Sequence, residues 1–254
     1  MTWFSILSTQ DLALAVSIAF LAGCIKGMVG FAMPMVLVSG LSIFLPPEWA
    51  VAGLILPTLV TNGVQALREG VPAAVSSIRR FRVFLIVGLL FLLAGAQLVS
   101  LVPPRTLLLM IGAPVTFFAL IQVLGSKLTL SKPSAWIEAA MGSVAGFVGG
   151  MSGIWGPPTV MYLTALNTPK ADQMRVQGVV YGLGAVALVF AHLGSGILRM
   201  ETAAFSGFLI APAVIGLWAG LKLQARIDQA RFRKVTLIVL LIGGLNLLRR
   251  GLTG

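Results

Sequence analysis

Long apolar runs separated by short charged connections recur from one end of the chain to the other. Six of these runs, 49–67, 81–102, 106–124, 176–193, 203–221 and 235–248, have the length of one helical crossing. A bilayer core about 30 Å thick is crossed by about 20 helical residues, so each is expected to span once. Pro46, Pro104 and Pro169 sit near the starts of such runs, where a residue without an N–H is tolerated. Two further runs have the wrong length. Residues 12–45 would make a helix about 51 Å long at 1.5 Å per residue, too long for one crossing and too short for two. Residues 135–166 raise the same difficulty. Each is interrupted midway by a glycine-rich stretch ending in proline. That composition favours a broken helix, and non-helical backbone at membrane depth is tolerated only inside protein or beside a water-filled cavity. Each run is therefore expected to form two shorter helices, a hairpin that enters and returns on one side.

The two interruptions are copies. GCIKGMVGFAMP (23–34) aligns without gaps on GFVGGMSGIWGP (146–157), matching Gly23 to Gly146, Gly27 to Gly150, Met28 to Met151, Gly30 to Gly153 and Pro34 to Pro157. The same register reaches Pro46 and Pro169. Glycine is abundant here, with 29 residues, so the shared methionine, the two shared prolines and the matching runs downstream carry the case for a duplication. The expected architecture is an all-α integral membrane protein with one membrane domain built from two repeats, 1–126 and 127–254. Each repeat is a broken-helix hairpin plus three transmembrane helices, which makes eight spans if a hairpin counts as one. Interrupted apolar segments at corresponding places in two halves are the sequence sign of a transporter's binding site.

Composition agrees with a membrane protein. The chain is 58% hydrophobic and 10% charged with a mean hydropathy of +1.01, whereas soluble domains run at about 45–50% apolar and about 25% charged. The net charge of +11 does not point to nucleic acid, because no basic patch is interleaved with aromatics. Lys and Arg crowd the connections instead, as the positive-inside rule requires. Their distribution also orients the halves. If each long run crossed once, nine cations would lie on one side and eight on the other. If each is a hairpin, the second repeat inverts, and thirteen lie on one side against four, Arg105, Arg199, Arg249 and Arg250. Only the inverted arrangement obeys the rule. It puts both termini outside, periplasmic in a bacterium, with the chain in the inner or plasma membrane. Ten full crossings would divide the charges the same way. The start, MTWFSILSTQDLALAV, lacks a positive n-region and is expected to be retained. Cys24 is the single cysteine, which leaves no disulfide framework and no cysteine metal site.

A broken helix presents unsatisfied N–H groups and partial positive charge where its second half begins, a ready anion site. In the first hairpin these donors are expected from Gly27 to Phe31, through Met28 and Gly30; in the second, from Gly150 to Ile154, through Gly153. Ser152 and Trp155 would add a hydroxyl and a wall. Two such tips near the midplane would cradle an anion. Lys26, an ammonium inside an apolar run, costs several kcal/mol unless something compensates it. It adds a full charge to this cradle, and since its counterpart is Gly149 the site is asymmetric. The glycines also suit close helix packing, and Lys26 also suits snorkelling to an interface.

GCIKGMVGFAMP with PTLVTNGVQ downstream, and GFVGGMSGIWGPP with MRVQG downstream, resemble the TauE/SafE family of sulfite and organosulfur-anion exporters. Length, duplication and span pattern agree over nearly the whole chain. The resemblance implies a secondary transporter that exports a small anion, such as sulfite, a sulfonate or a related organosulfur or carboxylate anion. The family's polar positions after the first motif match Asn62 and Gln65, and its arginine after the second matches Arg175. Asn62 and Gln65 lie three apart on one helical face beside Thr58 and Thr61, an arrangement that serves either substrate or interhelical hydrogen bonds. Arg175 and Gln177 open the span after the second motif. Arg175 either draws the anion to the inner mouth or is one more inside charge.

His192 lies near the outer end of its span, and an imidazole titrates near neutrality, so protons are a candidate coupling ion beside simple uniport. No Walker A pattern appears, which argues against direct use of ATP. One histidine, one cysteine and seven scattered acids supply neither a nucleophile with its base nor a metal cluster, so no enzyme and no cofactor are expected. A passive anion channel on the same cradle and a non-transporting membrane scaffold remain open alternatives, and so does a homo-oligomer.

Overall fold

The computed structural model describes residues 7–98, 103–125, 129–130, 134–152, 156–194 and 197–253. These residues form helices α1 (Thr9–Val29), α2 (Met33–Leu41), α3 (Pro47–Leu67), α4 (Val71–Arg80), α5 (Arg82–Leu98) and α6 (Pro104–Val123), then α7 (Ala135–Ser152), α8 (Gly156–Ala165), α9 (Lys170–Gly194), α10 (Met200–Phe208), α11 (Ile210–Arg226) and α12 (Gln229–Thr253). Among the described residues there is no strand. Thr9–Val29, Glu48–Leu67, Met200–Arg226 and Gln229–Thr253 are long and apolar enough to cross a membrane, while Arg82–Gly95 and Leu108–Val123 are apolar but shorter.

Helix α1 starts at a reciprocal cap, where Ser8 Oγ accepts from the Asp11 N–H at 3.1 Å and Asp11 Oδ2 accepts from the Ser8 N–H at 3.0 Å. It stops at Gly30, whose φ of 87° closes the helix with an N–H bond to the Lys26 carbonyl at 2.6 Å. Ala32 also holds a positive φ, 74°, which costs an alanine about 1–2 kcal/mol. Helix α2 then begins, with Pro34 in its first turn. The run 12–45 is thus two helices, but unequal ones of 21 and 9 residues, and the first is long enough to cross by itself. The break is confined to Gly30–Ala32. Gly23 and Gly27, expected within the interruption, lie in unbroken helix because their bare faces pack against a neighbour. The second run holds helices of 18 and 10 residues on either side of 153–155.

The run 203–221 lies within one candidate span, Met200–Arg226, as expected, and its helix is interrupted at Leu209 between α10 and α11. Pro212 is the cause. It has no N–H for the Phe208 carbonyl and its ring crowds that turn. Helix α4, an amphipathic segment, was not anticipated.

The chain forms two compact units that do not follow its halves. One comprises Met1–Gly70 and Gln177–Asp228, the other Val71–Val176 and Gln229–Gly254. In the first, α1 lies hard against α11. A Cβ on Gly216 would overlap the Phe20 carbonyl and one on Gly220 the Cys24 carbonyl, while Gly23 and Gly27 face the Ala213 and Leu217 carbonyls in the same way. Small residues admit such backbone approach, the usual seam between membrane helices. Beside this seam, Ala19, Met33, Leu37, Phe205 and Leu209 are fully buried, and the rings of Trp49 and Phe205 stand 5.5 Å apart.

In the second unit the equivalent seam joins α5 and α7. There Gly142 and Gly146 face the Phe84 and Gly88 carbonyls, and Gly95 faces that of Phe147. Helices α6 and α12 meet at Gly112 and Gly244. Glu138, buried on α7, accepts from the Phe84 N–H at 3.0 Å in the first turn of α5, where a carboxylate suits the helix dipole.

Candidate functional site

The first unit gathers several polar side chains around the end of α1. Lys26 is 1% exposed and Asn62 is fully buried. Lys26 stands in the last turn of α1, where a cation opposes the negative end of the helix dipole. Its Nζ donates to Asn62 Oδ1. Asn62 and Thr58, one turn apart on α3, each keep a buried polar atom without a partner, Asn62 Nδ2 and Thr58 Oγ1. Thr61 is spoken for, since its hydroxyl donates to the Pro57 carbonyl at 2.6 Å.

The carbonyls at the end of α1 are occupied too. Gln65 Nε2 donates to the Gly30 carbonyl at 3.2 Å. The Gln177 amide, turned to suit its surroundings, donates to the Val29 and Gly30 carbonyls at 3.1 Å each. Both glutamines are buried. They converge because α9 closes on α3, where a Cβ on Gly178 would stand 2.5 Å from the Ala66 nitrogen. Across the break Ala32 provides no side-chain cap for α2, and Pro34 has no N–H.

Of the residues expected from sequence, Lys26, Gly30, Asn62, Gln65 and Gln177 are therefore in mutual contact through these bonds. Phe31 is buried in the break itself. Gly27 and Met28 differ from expectation: their N–H groups lie within the continuous hydrogen-bonded run of α1 and are not tip donors. Gly27 serves the α11 seam instead. Gly150 likewise lies inside α7. Gly153 and Trp155, together with the side chains of Ser152 and His192, fall outside the described residues.

Arg175 belongs to the second unit. Its guanidinium pairs with Asp172 and its Nε donates to Ser77 Oγ at 2.8 Å. Arg80 reaches the same carboxylate at 3.7 Å. These bonds tie α4 to the start of α9, a role that the sequence reading did not foresee for Ser77. The signal available was the stretch VPAAVSSIRR, whose small and polar residues recur at helical spacing. Glu138 is one of the seven scattered acids, and nothing in the sequence around it points to its bond with the Phe84 N–H.

Among the described residues no group of histidines, cysteines and acids could hold a metal ion. What the arrangement offers is a buried lysine bonded to a primary amide whose own N–H donor has no partner. The chain matches the family described as Sulfite exporter TauE/SafE over residues 15–247 of its 254. No curated protein and no solved structure matches it.

Proposed function

This chain belongs to the sulfite exporter TauE/SafE family, a family of membrane transporters and not of enzymes, and from that premise we propose that it exports sulfite or a related organosulfur anion by alternating access. It is a multi-pass membrane protein that carries a small anion. The anion site of this proposal is centred on Lys26 and Asn62, with Thr58 a turn away. One observation carries it: among the described residues the buried Lys26 has only a neutral amide for a partner, and that amide keeps a buried donor unpaired. Buried donors want acceptors and a buried cation wants an anion. An oxyanion supplies both, since its oxygens accept from Lys26 Nζ and Asn62 Nδ2 together. The break at Gly30–Ala32 brings uncapped N–H groups of α2 to the same region of the unit, which favours negative charge further.

The protein sits in the inner or plasma membrane in this reading, with two inverted repeats, 1–126 and 127–254. The pairing of helices supports it. The first hairpin helix of each half packs on the second span of the other half, α1 on α11 and α7 on α5. The first spans meet each other, α3 with α9, and so do the third spans, α6 with α12. A pattern that maps onto itself when the halves are exchanged is what a two-fold-related duplication produces, and the thirteen-to-four division of cations favours inversion.

The test is flux of labelled sulfite from proteoliposomes. Saturable flux is expected from the native protein, falling by about tenfold or more in Lys26→Met. Asn62→Asp should have the same effect while the protein stays monodisperse in detergent, because the new carboxylate occupies Lys26 and excludes the substrate. Native rates in both variants would remove Lys26 and Asn62 from the site.

A further inference from the structure

The charge balance around Lys26 has a consequence for how transport is coupled. Within its unit there are five carboxylates, and none pairs with Lys26. Asp11 is held by Ser8, Glu48 and Glu201 lie within 3.3 Å and 3.8 Å of the Arg199 guanidinium, and Glu69 and Asp228 have interactions of their own. Of the helices packed around α1, α2 carries no charged residue, α11 carries the cations Lys222 and Arg226, and α3 has only Glu48, already engaged. At the end of α1 the Gly30 carbonyl accepts from Gln65 and Gln177 and the Val29 carbonyl from Gln177, so neither is free to serve Lys26. Among the described residues of this unit, therefore, no carboxylate balances the buried Lys26.

We infer that the transporter is an obligate exchanger, in which a small anion must enter the Lys26–Asn62 site from outside before the protein resets for the next export. This rests on the transport reading above. Alternating access requires the protein to close twice per cycle, once loaded for export and once to return. Closing around Lys26 with the Asn62 amide and the partial charge of the α1 terminus, but no full negative charge beside it, seals a cation away from water, which is costly. Closing around Lys26 with an anion in place seals a neutral pair whose oxygens also take the Asn62 Nδ2 donor. The return step is therefore slow when empty and fast when loaded, so export of one anion is tied to entry of another. The counter-substrate is defined by the same chemistry: a small anion with oxygens that accept from an ammonium and an amide at once. For two monoanions the exchange moves no net charge.

The experiment compares efflux of labelled sulfite from proteoliposomes into two media, one containing sulfite and one containing only gluconate, an anion too large for such a site. Efflux into sulfite is expected to be at least about tenfold faster than into gluconate, with sulfate and bicarbonate then tried as natural counter-ions. In Lys26→Gln the ratio between the two media should fall to about one, whatever its absolute rate, because the empty return no longer seals a charge. Native efflux equally fast into both media overturns the exchange mechanism and leaves the transport reading standing. No labelled flux into either medium, from protein shown to be monodisperse, overturns the transport reading and this inference with it. Retained dependence on external sulfite in Lys26→Gln overturns the role given to Lys26. The comparison of media uses the native protein, so it decides the matter even where the variant fails to fold.

Discussion

Two glutamines do for the end of α1 what water does for a helix end at a protein surface. The carbonyls of Val29 and Gly30 are left without helical partners at the break, and Gln65 and Gln177 reach across from α3 and α9 to donate to them. A buried carbonyl without a donor costs about 1–3 kcal/mol. Gln177→Leu orphans the Val29 carbonyl and weakens the cap on Gly30, so it should lower the apparent melting temperature in detergent. Gln177→Leu melting with the native protein would show the cap to be dispensable. Lys26 was conspicuous in the sequence because an ammonium in an apolar run has no ordinary explanation. Its partner was not. Asn62 and Gln65 share a helical face and looked alike, yet one bonds the lysine and the other the broken backbone. Spacing along a helix says which residues are neighbours on that helix and nothing about what lies across from them.

The glycines tell the same story for helices. GCIKG and its counterpart GFVGG read as flexible interruptions, yet of the glycines in the first motif only Gly30 adopts a left-handed conformation. Gly23 and Gly27 are there so that α11 can approach, and Gly216 and Gly220 on α11 answer them. A Gly216→Leu change drives its Cβ into the Phe20 carbonyl, which is backbone and cannot rotate away. The cost should exceed about 3 kcal/mol, the upper range for overpacking. The expected result is loss of the monodisperse peak in size-exclusion chromatography. Gly207→Ala is the control, because its Cβ would meet nothing within 4 Å. A well-behaved Gly216→Leu protein would mean that α1 and α11 do not touch there. The interruption between α10 and α11 has a local cause, by contrast. Pro212 lies three residues beyond it, and a proline's effect on the carbonyl four residues back needs no tertiary context, although the run 203–221 reads as one span.

For the whole molecule, the distribution of Lys and Arg predicts sidedness. In a chain lacking Cys24, single cysteines at Arg199 and Arg249 should react with an impermeant maleimide added outside intact cells, while one at Arg231 should react only after permeabilisation. Labelling of Arg249→Cys only from the cytoplasm would overturn the inverted arrangement. The proposed repeat rests on matched residues at a fixed offset, and such matches can be read without knowing the fold. The division into units was not visible. Each unit combines helices from both halves of the chain, and a sequence carries no mark of which distant helix a glycine face will meet. Membrane residence, the helices and the misfit of Lys26 follow from local quantities: hydropathy, length, and the cost of burying a charge. The pairing of α1 with α11, the capping of Gly30 by Gln177 and the bond of Lys26 to Asn62 rather than to a carboxylate are relations between segments up to 196 residues apart. Only packing could decide them, because buried polar groups take whichever partner the approach of two helices brings within reach.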